Sequence, residues 1–129
     1  MRVLLDTHVW LWMLTEPERL GESLRVVEDS HNQLLLSAVS SWEIAVKYGL
    51  GRLDLPSPPQ VYVPERIRTS GVTPLPIEHS HTLAVAPLPH HHRDPFDRLL
   101  IAQSKIEDVP ILTADAAFTA YQVEIVPAR

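Results

Sequence analysis

The residues best suited to chemistry in this chain are carboxylates. Asp6 ends the apolar run RVLLD, Glu43 lies in SSWEIAVKYGLG, Asp97 follows the histidines in HHHRDPFDRLLIAQSK, and Asp115 stands just beyond ILT. Acids gathered in one place without Lys or Arg between them repel each other, so such a cluster calls for cations. Oxygen-only ligands suit Mg²⁺ or Mn²⁺, which keep waters and bind phosphate oxygens. The matching reaction is phosphodiester hydrolysis, in which cations activate the attacking water and stabilise the leaving oxygen. Thr7 and Thr113 each stand close to one of these acids. A hydroxyl there orients a ligand carboxylate or a water, or the residue is an ordinary strand-end threonine.

Each acid also has a purely structural explanation. Ser40 and Glu43 have the S-x-x-E spacing of a capping box. In DPFD, Asp94 suits an N-cap, Pro95 the first helical position, and Asp97 the third, where an acid meets free N–H groups and the helix dipole. Asp115 could cap a following turn. Asp6, after VLL, has no helix-interior partner. Capping does not explain why all these acids should meet at one edge.

The elements decide whether they meet. RVLLD, residues 2–6, reads as a buried strand and residues 8–14 as a helix. A second helix is expected over 22–30 with Leu24 and Val27 inward, and a second strand over 33–37. SSWEIAVKYGLG is helical, with Ile44, Ala45 and Tyr48 on its inner face and Gly49 and Gly51 as stop signals. A proline-rich loop leads to a helix ending near Ser70, then to a short strand in GVTPLPI and a short helix over 78–86. A loop to His92 precedes a helix from Pro95 to about Glu107. VPILTAD holds a strand, 116–120 a helical turn, and VEIVP the last strand. Short apolar strands alternating with helices indicate an α/β three-layer domain with a parallel sheet. Ligands bind beyond the carboxyl ends of such strands, where Asp6, Glu43, Asp97 and Asp115 all fall.

Composition bounds the rest. The chain has 129 residues, 45% hydrophobic and 21% charged, enough for one compact domain. With no cysteine, disulfides and thiolate metal sites are excluded and a cytoplasmic setting is expected. Asp6 and His8 interrupt the first apolar run, which therefore reads as a strand entering a helix rather than a leader. No segment has the length of a membrane span. The net charge of −5 argues against a broad basic nucleic-acid face, with one loophole: carboxylates that bind divalent cations invert their local charge. His90, His91 and His92 are adjacent, a poor spacing for zinc ligands, and read as a loop. Trp10 and Trp12 face roughly 200° apart on a helix, so one is expected in the core and the other at a partner surface; Trp42 reads as core packing.

The blocks LLDTHVWLW, LSAVSSWEIAVKYGLGRLDLP, HRDPFDRLLIAQS and ILTADAAF, in order from about Val3 to Pro127, resemble PIN-domain ribonucleases, specifically VapC-type toxins of type II toxin–antitoxin modules. The resemblance implies a single PIN domain over 1–129, three-layer α/β/α with a four- or five-stranded parallel sheet. It implies an endoribonuclease dependent on Mg²⁺ or Mn²⁺. Asp6, Glu43, Asp97 and Asp115 match the family's catalytic and metal-binding acids, and Asp94 is the acid typical of the DPFD block, retained as an N-cap with outer influence. The family further implies an RNA substrate, a homodimer and a cognate VapB-type antitoxin. Its C-terminal segment would wrap the toxin and block the acidic site with a basic side chain. Arg93, Arg98, His92, Lys47, Arg52 and Arg68 are candidate phosphate contacts.

Two rivals belong to other classes. One is a catalytically silent PIN-like module whose acidic groove receives a basic partner peptide. The other is a phosphatase or phospho-acceptor domain, which needs a D-x-D or paired acid after the first strand; here the residues are Asp6-Thr7-His8.

Overall fold

A computed structural model describes residues 1–91, 93–121 and 123–128. Its centre is a five-stranded sheet: β1 (Arg2–Leu5), β2 (Gln33–Ser37), β3 (Thr73–Leu75), β4 (Ile111–Thr113) and β5 (Ile125–Pro127). All pairings are parallel, in the order β3-β2-β1-β4-β5. The helices are α1 (Thr7–Thr15), α2 (Leu24–Glu28), α3 (Ala38–Gly49), α4 (Pro59–Ser70), α5 (His79–Leu83) and α6 (Pro95–Glu107).

The unbroken apolar runs VLL and LLL follow from helices covering both faces of the sheet. Side chains alternate along each strand. Leu4, Leu35 and Ile111 face a core built with Leu99, Leu100, Ile101 and Ala102 of α6. Val3, Leu5, Leu34, Leu36 and Leu112 face the opposite core, with Val9 and Trp10 of α1 and Val63 of α4. Each fully buried Leu or Ile contributes about 1.5–3 kcal/mol relative to exposure. Helix α3 serves both cores, sending Val39 to one and Ile44 to the other.

Several expected details differ. Helix α2 is shorter than 22–30 because residues 17–23 form 3₁₀ turns, kinked at Gly21 (φ 55°). Helix α5 stops at Leu83, short of the expected 86, and turns follow. Only Ile44 of the expected inner face of α3 is buried; Ala45 and Tyr48 are exposed. Trp42 is 49% exposed, against the core position expected for it, and meets Phe96 edge-on at 4.6 Å between ring centroids. Trp10 is the core tryptophan and Trp12 is half-buried.

Candidate active site

The strands are added outward from β1 to one side and then, from β4, to the other, and that switch point opens a crevice at the carboxyl ends. A cleft of about 290 Å³ lies there, and its walls include Asp6, Glu43, Asp94, Asp97 and Asp115. Residues from four distant segments are therefore brought to one place, as the spacing of acids and strands suggested.

Asp6 follows β1 directly and occupies the N-cap position of α1, yet its side chain makes no capping bond. It accepts instead from Thr113 Oγ1 at 2.8 Å, while the Thr113 oxygen accepts the Asp115 backbone N–H at 3.0 Å. Thr113 thus fixes the Asp6 carboxylate. Thr7 does not do so through its hydroxyl, which donates to Ser40 Oγ at 2.8 Å.

Glu43 corrects a local expectation. Helix α3 is capped by Ser37, whose side chain accepts from Val39 N, so Ser40 lies inside the helix and starts no capping box. That puts Glu43 in the second turn, as a buried residue 2% exposed. Lys47, one turn on, donates from Nζ to Glu43 Oε2 at 2.5 Å. Glu43 Oε1 is buried without a hydrogen-bond partner, the one such side-chain atom among the described residues. Lys47 is thereby tied to the acids rather than offered to phosphate.

Asp94 caps α6, accepting from Phe96 N and Asp97 N, and Pro95 takes the first helical position. Asp97 follows on the first turn, facing the cleft. Asp115 accepts from Ala117 N and caps the 3₁₀ turn at residues 116–120, so it both caps and lines the cleft.

The electrostatics follow from this crowding. Burial, then the charges of Asp94, Asp6, Glu43 and Asp115, push the Asp97 carboxyl up to about 8. Burial also raises Asp6, opposed by the Thr113 bond and by His8. For Lys47, burial works downward, but the bond to Glu43 and the charges of Glu43, Asp94 and Asp97 carry the group upward overall. Negative charge is thus crowded at this edge of the sheet.

Of the expected phosphate contacts, Arg93 is exposed beside the cap and His92 lies outside the described residues. Arg98 must be withdrawn. It is buried, and its guanidinium donates to the carbonyls of Pro89, Val85 and Leu88 at 2.8–3.3 Å, fixing the preceding loop. Two cleft residues escaped sequence reasoning, His8 and Arg19. Arg19 lies over the Trp12 ring, 4.4 Å from its centroid, and pairs with Glu16 at 3.2 Å. The fold of the 3₁₀ segment brings it back over α1, which no spacing in PERLG revealed. His91 packs edge-on against Tyr121 at 4.9 Å between ring centroids.

A three-layer domain with carboxylates crowded at the switch point of a five-stranded parallel sheet is thus defined by fold and site together. The chain belongs to the PIN domain family, whose model matches residues 3–124. It is similar to "Ribonuclease VapC16" of Mycobacterium tuberculosis (strain ATCC 25618 / H37Rv), 46% identical over 65 residues, or 50% of this chain. That match spans only 46% of the relative's own length. "Ribonuclease VapC22" of the same organism is 29% identical over 124 residues, covering 93% of this chain and 92% of that protein. Among solved structures, VapBC2 from Rickettsia felis bound to a promoter DNA fragment has a TM-score of 0.73 at 14% identity, covering 98% of both chains. DNA-bound VapBC from Salmonella typhimurium gives 0.69 at 13% identity, covering 100% of this chain and 99% of that one. FitAcB from Neisseria gonorrhoeae gives 0.63 at 22% identity, covering 98% and 97%. Likeness at such identities establishes the fold.

Proposed function

We propose that this chain is an endoribonuclease dependent on Mg²⁺ or Mn²⁺ and the toxin of a toxin–antitoxin pair. The observation that carries this reading is the cleft shared by Asp6, Glu43, Asp97 and Asp115, one of which, Glu43, has an oxygen, Oε1, buried without a partner. A purely structural cluster would satisfy that oxygen.

The donor set fits a hydrated, hard divalent cation. Among the described residues no three acids or histidines form a ready-made cage, so the cation would keep most of its waters and the carboxylates would reach it partly through them. Asp6, Asp97 and Glu43 Oε1 would hold the cation, with Asp115 beside it. When bound, such an ion polarises phosphate oxygens and lowers the pKa of water. The chain's own residues then do the positioning. Thr113 aims Asp6, Asp97 would give up its proton to serve as a ligand, and Asp94 holds the helix start that carries Asp97. Arg19, over the Trp12 ring and the one Lys or Arg among the described residues lining this cleft, would take a phosphate of the RNA. Arg93 would supply a second contact at the rim.

Support for the substrate and the module comes from the relatives named as VapC ribonucleases and from the VapBC proteins that share the fold. We include in the reading a VapB-type antitoxin placing a basic side chain among the acids, and a homodimer. Exposed apolar residues, Trp42, Val46, Leu50 and Val61 among them, suit such partners. Among the described residues no helix is long and apolar enough to cross a membrane; the lack of cysteine fits action in a reducing cytoplasm. The rival silent module would satisfy the Glu43 oxygen with a donor from its basic peptide; it differs in predicting no binding of Mg²⁺ or Mn²⁺ by calorimetry.

The test is to sequence RNA ends after induced expression of the wild type and of Asp6→Asn. New ends at defined sites with the wild type alone are expected. Identical ends from both chains would overturn the reading.

A further inference from the structure

One acid of the cleft, Glu43, is paired with a cation of its own helix. Lys47 reaches Glu43 from the next turn of α3, the i,i+4 spacing that lets Glu and Lys meet on one helix face. This is not an ordinary surface pair. The Glu43 side chain is 3% exposed and that of Lys47 32%, and the ammonium feels Asp94 and Asp97 as well as its partner. One Glu43 oxygen is taken by Nζ, and the other is buried with nothing donating to it. The two oxygens of one carboxylate have therefore been given different fates.

We propose that Lys47 is a positioning residue that acts as a built-in counter-ion, closing Glu43 Oε2 so that the carboxylate meets a divalent cation through Oε1 alone. This inference rests on the metal-dependent reading above and deepens it. It has two consequences. Before a cation arrives, Lys47 offsets part of the repulsion among Glu43, Asp97, Asp94 and Asp6, and so lets the cluster form in the folded chain. Once a cation is present, the same positive charge opposes it at close range and denies it a bidentate grip on Glu43, so the cation binds more weakly and exchanges more readily. Lys47 thus sets the affinity of the site in exchange for the stability of the empty one.

The experiment compares Lys47→Gln, Lys47→Met and Lys47→Arg in the full-length chain. Thermal unfolding is measured in chelator, and Mn²⁺ binding by titration calorimetry. Gln keeps a donor for Oε2 without charge, Met removes both, and Arg keeps both. In chelator, Gln and Met are expected to melt below the wild type, with Met the lower and Arg close to wild type. For Mn²⁺, Gln is expected to bind at least about tenfold more tightly than wild type, the order expected from deleting a unit charge a few ångströms from a divalent ion. Arg is expected to restore wild-type affinity. If Met fails to fold, the Gln and Arg pair still decides. A Gln variant whose Mn²⁺ affinity equals or falls below wild type makes Lys47 a structural prop and overturns the proposal. A wild-type chain that binds no Mn²⁺ overturns the metal-dependent reading itself.

Discussion

Thr113 and Asp6, 107 residues apart in sequence, are joined by a 2.8 Å hydrogen bond from Oγ1 to Oδ2. Because the Thr113 oxygen already accepts from Asp115 N, its one proton is directed at Asp6. This bond stitches the ends of β1 and β4 across the switch point and fixes the carboxylate that β1 delivers.

Thr113→Val preserves shape and removes that donor. Loss of a buried hydrogen bond to a charged group costs about 1.5–3 kcal/mol, and loss of a ligand's orienting partner typically weakens metal binding 10–100-fold. Urea unfolding in chelator and Mn²⁺ calorimetry should show both effects, and Thr113→Ser should reverse them. Unchanged Mn²⁺ affinity in the Val variant would mean that Asp6 is aimed by other contacts.

Asp97 should make the metal-free protein sensitive to alkali. Its carboxyl titrates near 8 in the fold against an ordinary 3.8, so the native state holds a proton that the unfolded chain has lost. Stability from this group is fully present below about pH 4 and declines as pH rises toward 8. Melting in chelator at several pH values should show the decline in the wild type and a flatter profile for Asp97→Asn. Cation affinity should rise over the same window, since binding displaces that proton.

Arg98 should behave as a structural residue. Arg98→Met leaves three carbonyls without their donor and is expected to cost about 2–4 kcal/mol in urea unfolding. A phosphate contact would instead lower the salt dependence of RNA binding by about one unit of slope. That slope should stay unchanged in Arg98→Met and fall in Arg19→Ala, measured on a non-cleaving Asp6→Asn background.

Much of this was legible in the chain because strong local signals agreed with the fold. The runs VLL and LLL are apolar on both faces, and DPF spells a helix start that the Asp94 cap realises. The sites of failure are those where tertiary contacts overrule local pattern. Ser40 and Glu43 have capping-box spacing, but α3 begins earlier, at Ala38, because Ser37 ends β2 and caps at once. Arg98 looks like any basic residue next to an acidic motif until the loop at 85–89 folds over it. Trp42 is large and apolar yet exposed, since the α3 faces toward the two cores are filled by Val39 and Ile44. Lys47, four residues after Glu43, reads from sequence as a phosphate contact and is instead the partner of that acid. That pairing rests on the burial of one partner, which sequence does not display.

The most direct measurement is cleavage of single-stranded RNA by the purified chain, in Mn²⁺ and in chelator, with wild type beside Asp6→Asn and Asp97→Asn. Cleavage is expected from the wild type in Mn²⁺ only, with both variants folded and silent. Equal cleavage in chelator, or undiminished cleavage by either variant in Mn²⁺, would contradict the assignment of this cleft as a metal-dependent nuclease site.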